Sequence, residues 1–172
     1  MSISVHRALV PGVVTTLKAL SAILDKAQAF AEARKIDPEV LTSARLAPDM
    51  IPLSGQIQIA SDTAKGAAAR LAGVDVPSWA DTEKTIPELK ERIAKTIAFI
   101  EGLKPEQFEG AESKVIELKA GPNTLSFEAL DYLFGFVIPN IYFHATTTYA
   151  ILRHNGVEIG KRDFLGNIPM RN

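Results

Sequence analysis

Residues 127–155 read FEALDYLFGFVIPNIYFHATTTYAILRHN, and this stretch decides the fold. Phe127, Leu130, Phe134, Val137, Ile141, His144, Thr148 and Ile151 recur at alternating steps of three and four. That is the mark of one helix face packed against neighbours. The pattern predicts a helix from about Ser126, a capping residue with Glu128 in the first turn, to a stop at Asn155-Gly156. Pro139 falls inside it and predicts a kink. Two members of the seam are polar: His144 and Thr148 stand one turn apart on the side the pattern buries. The run 134–141 is strongly apolar, but a membrane span takes about 20 such residues. Asn140, His144 and three threonines break the apolar character, so the stretch reads as a buried helix.

Three further helical segments precede it. From Ile3 to Lys35, Val10, Val13, Leu17, Leu20, Leu24, Ala27 and Ala31 keep the three-four alternation. Pro11 either opens that helix or kinks it, and Ile36-Asp37-Pro38 closes it. A short turn over 38–43 leads to a second long helix with Met50, Leu53, Ile57, Ala60, Ala64, Ala67 and Leu71 on its seam, ended by Gly73. Asp49, Gln56 and Thr63 repeat every seven residues beside that seam, and Asp49 is placed to favour the positive end of the helix dipole. A third helix opens at Thr85 with Pro87 and Glu88, a capping-box pattern, and ends at Gly102 and Pro105. Val115, Ile116 and Leu118 among charged residues, with Gly121-Pro122-Asn123 after them, predict a short strand and turn before the last helix.

The fold predicted is all-α: one domain over residues 1–172, an antiparallel four-helix bundle with a short strand or hairpin between the third and fourth helices. Up-and-down order is the leading connectivity. The connections before and after the third helix are long, however, so one of them is expected to run the bundle's length.

The net charge of −1 carries no basic footprint, so neither nucleic acid nor an anionic membrane is an expected partner. The absence of cysteine removes disulfides, thiolate metal sites and a cysteine nucleophile. Met1–Arg7 lacks the apolar run of a signal peptide, and the expected location is the cytoplasm. There is no glycine-rich phosphate loop, no Gly-x-Ser-x-Gly elbow and no His-Glu-x-x-His motif.

His144 is the sharpest candidate. It is either a metal ligand or acid–base group, or a core histidine satisfied by Thr148 or by a residue of the second helix; the latter is the stronger reading. The other histidines are His6 and His154, and His154 lies about 80° off the His144 face. A metal set would therefore have to draw on Asp49 or Gln56. Arg153, His154, Lys161, Arg162 and Asp163 gather at the end of the last helix. They read as an anion site or, more strongly, as groups that satisfy helix carbonyls and pin the tail.

The segments Leu46–Gln56 and Pro139–Arg153, with the ending Gly156–Gly166, resemble an uncharacterised, mostly bacterial family of the DinB/YfiT-like superfamily. The likeness implies a DinB-type bundle, often a homodimer. Metal-binding relatives carry one histidine on helix two and a His-x-x-x-His pair on the last helix, and some are thiol transferases or hydrolases. Here Gln56, His144 and Thr148 stand at those positions, so one ligand of three is kept. The expectation is a bundle that binds a small molecule in a pocket near one end, lined by Asp49, Gln56, Tyr142, His144 and Thr148, with Arg153 among the ligand-binding residues and the metal triad largely lost. The alternatives are a transferase or hydrolase using a divalent transition metal with His144, Asp49 and Gln56, and a structural dimerisation module.

Overall fold

The computed structural model describes residues 3–168; Met1 and Ser2 of the N-terminal reading, and the last four residues of the domain, lie outside the described residues. Helix α1 (Val5–Arg34) starts at Ser4, whose Oγ accepts from the Arg7 N–H at 3.3 Å, and it continues through Pro11. It ends at Lys35, which takes a left-handed backbone (φ 55°) so that the amides beyond the helix can reach its last carbonyls. After the short α2 (Glu39–Ser43), α3 (Leu53–Ala72) begins behind Pro52 and stops at Gly73, whose φ of 74° favours glycine. No acidic residue lies in the first turn of α3. Asp49 sits in the preceding turn, exposed, so it does not charge the start of that helix. Helix α4 (Ile86–Glu101) carries the expected capping box between Thr85 and Glu88.

Two 3-10 turns (Pro105–Phe108 and Ala111–Ser113) lead into a hairpin of β1 (Val115–Ala120) and β2 (Asn123–Glu128), with Ile116 opposite Phe127 and Leu118 opposite Leu125. Ser126 therefore belongs to β2, not to a helix cap, because strand pairing runs on to Glu128. The last helix is built in three parts: α5 (Ala129–Asp131), a π-helical segment over Tyr132–Val137, and α6 (Ile138–His154). A five-residue α7 (Lys161–Leu165) closes the described chain.

The π segment answers to Pro139, which has no N–H to give the carbonyl four residues back and crowds it with its ring. The backbone opens into a wider turn just upstream instead of only bending. That turn shifts the register of the seam. Leu133, Val137, Ile141, His144, Thr148 and Ile151 are buried, whereas Leu130 and Phe134, expected inside, are 44% and 56% exposed. Phe127 lies on β2 and packs on Tyr132 and Phe136, both at 5.8 Å between ring centroids.

Side-chain pairings set the direction of each helix. Lys18 meets Glu101 and Asp25 meets Lys90, so α1 and α4 are antiparallel. Gln56 meets His144 and Arg70 meets Tyr132, so α3 and the last helix are antiparallel too. Asp62 meets Arg92, and Lys65 and Lys95 share Trp79, so α3 and α4 run parallel. The four long helices are thus neighbours in the cyclic order α1, α4, α3, α6. The simple up-and-down order gives way, and one long connection does run the bundle's length. Residues 73–85 must return along α3, which at 20 residues is about 30 Å long, and their extended reach is about 43 Å.

A buried arginine fastens this crossover. The Arg92 guanidinium, 1% exposed, lies 2.9 Å from Asp62 of α3 and 2.8 and 3.0 Å from Asp81 and Glu83 of the crossover, and donates to the Ala80 carbonyl. Burial would push the Glu83 carboxyl up. Its backbone hydrogen bond, those from Gln58 and Arg92, and the Arg92 charge outweigh that and hold it below its ordinary value. Trp79 is held between the ammonium groups of Lys65 and Lys95, at 4.2 and 4.5 Å.

Helix α1 is long and apolar enough to cross a membrane by length and composition alone, and its apolar face is bundle core. Alanines at 60, 64, 67 and 68 of α3, all fully buried, let the neighbouring helices approach closely.

Replacing Arg92 with Leu leaves three carboxylates converging on an apolar side chain. Asp81 and Asp62 are 58% and 39% exposed and can turn to water, so the expected loss is about 2–3 kcal/mol, below the ~3–5 of a fully buried pair. Urea unfolding monitored by Trp79 fluorescence measures it, and an unchanged midpoint would remove Arg92 as the fastener.

Candidate functional site

The site grows from the first turn of α3 and the middle of α6. Gln56 is fully buried, and its amide nitrogen donates to the Ile51 carbonyl at 3.2 Å. That bond turns the amide oxygen toward α6, where it lies 2.7 Å from His144 Nδ1. A carbonyl oxygen can only accept, so Nδ1 must carry the hydrogen and donate it. The imidazole is thereby fixed as the Nδ1–H tautomer, with its lone pair on Nε2. Among the described residues Nε2 has no hydrogen-bond partner, and it is not sealed from solvent. Phe143 stands edge-on to the ring at 5.2 Å and 86°.

Thr148 is fully buried, and its hydroxyl donates to the His144 carbonyl at 2.9 Å, a bond within the helix. Burial pushes the His144 imidazole below its ordinary value.

The structure brings Gln56, His144 and Thr148 together and sets the other candidates apart. Tyr142 lies two residues from His144, about 200° around the helix, and lines a narrow cleft of about 30 Å³ on the α1 side. Asp49 is exposed in the turn before α3. Arg153 is exposed beyond the far end of the site, its guanidinium 3.5 Å from the Val157 carbonyl. At the helix end Asp163 is taken up by partners of its own. Lys161 and Arg162 are exposed, while Asp163 pairs with Lys26 at 2.6 Å and caps the Gly160 amide at 2.8 Å. The tail is pinned, as expected, and Asp163 does it.

Sequence reasoning missed the Ile51 carbonyl, the group that settles which way Gln56 points. A backbone acceptor leaves no signal in residue type. Larger grooves lie elsewhere, one of about 370 Å³ beside α2 lined by Thr42, Arg45, Ser54 and Lys84.

A parallel–antiparallel bundle with one long crossover, a hairpin and an imidazole in the α3–α6 seam defines a DinB-like protein, and comparison with known proteins agrees. Residues 5–165 match the family model described as a domain of unknown function, DUF1993, and the chain belongs to that family. The crystal structure of a DinB family member from Shewanella denitrificans is 42% identical, with a TM-score of 0.91 over 97% of this chain and 94% of that one. No curated protein matches.

Among the described residues no group of three or more His, Asp or Glu side chains converges. The Gln56 oxygen is occupied by Nδ1–H and the Thr148 hydroxyl by a carbonyl, which leaves His144 Nε2 as the single nitrogen donor.

Because the folded value of His144 lies below the 6.5 of the free side chain, its neutral form is the one the fold prefers. The stability linked to it is fully present above pH ~6.5 and is lost as pH falls through that value toward the folded one. Thermal melting should therefore drop between neutral and mildly acidic pH, and His144→Gln should remove that part of the drop. An unchanged profile in the variant would assign the pH dependence to other groups. Gln56→Glu places a carboxylate on Nδ1–H and stabilises the imidazolium. Its His144 titration by NMR should move upward from that of the wild type, and an unmoved midpoint would contradict the contact between position 56 and the ring.

Proposed function

We propose that this DUF1993-family bundle binds a small, uncharged molecule through a hydroxyl or N–H group that donates to His144 Nε2, without a metal. The observation that carries this reading is the chain Ile51 carbonyl–Gln56 amide–His144 Nδ1, at 3.2 and 2.7 Å, which fixes the ring and leaves a neutral acceptor without a protein partner among the described residues. A histidine that served packing alone would be expected to satisfy both nitrogens or to turn the second fully into solvent. Phe143, edge-on to the ring, is apolar and exposed, which suits a largely apolar ligand with one polar group.

The test is a fragment screen with phenols, indoles and aliphatic alcohols, read by the side-chain nitrogen resonances of His144. A fragment that shifts Nε2 and raises the melting temperature is the expected result. His144→Ala should lose that binding while its circular dichroism stays native. Failure of every fragment to perturb His144, or unfolding of the alanine variant, would return the residue to a purely structural role.

A further inference from the structure

The last helix ends on a pair of residues that the fold needs and that water chemistry attacks. Asn155 and Gly156 close α6. The Asn155 side-chain nitrogen donates to the Ile151 carbonyl at 2.7 Å, and its backbone N–H reaches the same oxygen at 3.1 Å. Gly156 takes a φ of 92°, which side chains of L-residues rarely allow. That turn lets the Val157 N–H donate back to the Leu152 carbonyl at 3.0 Å, and Val157 and Ile159 then enter the core. Asn123, Asn140 and Asn167 are followed by threonine or isoleucine. Among residues 3–168 Asn155 alone is followed by glycine, which has no side chain to shield its amide nitrogen.

We propose that Asn155 is a deamidation site guarded by the closed helix end, so that it converts only in chains whose last helix has opened there. In the reaction the Gly156 nitrogen loses its proton to solvent base and bonds to Asn155 Cγ. The Cγ–Nδ2 bond breaks and ammonia leaves. Water then adds to one carbonyl of the five-membered imide that results. Opening at Cγ gives aspartate, and opening at the backbone carbonyl gives isoaspartate, with the chain rerouted through the former side chain. The folded molecule holds both reacting groups back. The Gly156 N–H is donated to the Arg153 carbonyl at 3.1 Å, so the proton that must leave is engaged. The Asn155 amide points back along the helix to Ile151, whereas ring closure needs Cγ to swing toward the following nitrogen. Both bonds lie at an exposed helix end, where local opening needs no global unfolding. Neither product restores the stop. Aspartate lacks the Nδ2 donor and sets a carboxylate beside the Ile151 carbonyl, at the negative end of the helix dipole. Isoaspartate lengthens the backbone between Leu152 and Val157, whose hydrogen bond then loses its geometry. Conversion therefore loosens the segment that carries Val157 and Ile159, and folding does not reverse it.

Peptide mapping by mass spectrometry is the test, on the full chain held in mildly alkaline buffer with and without guanidinium chloride. In guanidinium, Asn155 should convert to the acid ahead of Asn123, Asn140 and Asn167. In native buffer its conversion should be at least ~tenfold slower, because the rate is scaled by the fraction of chains open at that end. Below the unfolding midpoint, conversion should rise with the hydrogen exchange of the Gly156 amide read by NMR. Asn155→Asp should melt below wild type and exchange that amide faster. Conversion as fast in the native chain as in guanidinium would overturn the guard, as would an Asn155→Asp chain with unchanged melting and exchange. Preference for another asparagine in guanidinium would overturn the site itself.

Discussion

One missing hydrogen governs the last helix. Pro139 cannot donate to the carbonyl four residues back, and the π turn over Tyr132–Val137 is how the helix absorbs that loss without ending. The added width rotates everything upstream relative to everything downstream. Within the turn Leu133 enters the core while Phe134, with Leu130 just before it, is carried out to solvent. Above it, Ile141, His144 and Thr148 hold the inward phase. The same local defect thus places an imidazole against α3 and an aromatic row on the outside. A straight α-helix through this sequence would have put Phe134 in the core instead.

How much of this is legible in the sequence depends on the kind of interaction. Caps are readable because they are local: Thr85 with Glu88 and the stop at Gly73 need only their own neighbours. The burial of His144 and Thr148 is readable because the three-four period holds unbroken after Pro139. The period fails before Pro139, since it assumes 3.6 residues per turn and a π turn has more. Helix direction is illegible for a different reason. A hydrophobic seam has no polarity, so the parallel pairing of α3 and α4 shows only in contacts such as Asp62 with Arg92. Loop length alone hints at the crossover.

The site shows the same division. The seven-residue step from Asp49 singles out Gln56, and Gln56 does meet His144. Asp49, in that same step, lies outside the helix that the step presupposes. Tyr142 is near His144 along the chain, which at a spacing of two on a helix means the opposite side. The chain that orients the ring runs through the Ile51 carbonyl, and no side-chain pattern encodes a backbone oxygen. Membership of the DUF1993 family and the DinB-like fold follow from the whole chain. The chemistry of the site follows from three groups.

The crossover also bears on the order in which the molecule assembles. In an up-and-down bundle, consecutive helices are neighbours and fold as hairpins. Here α1 meets α4 through Lys18 and Glu101, 83 residues apart, and α3 meets α6 through Gln56 and His144, 88 apart. Closing loops of that length costs entropy before any packing returns it, which slows folding relative to local helical hairpins. The contact that orients His144 spans 88 residues and forms only once α6 docks on α3. The tautomer of His144 is therefore set by long-range docking of α6 on α3 and not by its own helix.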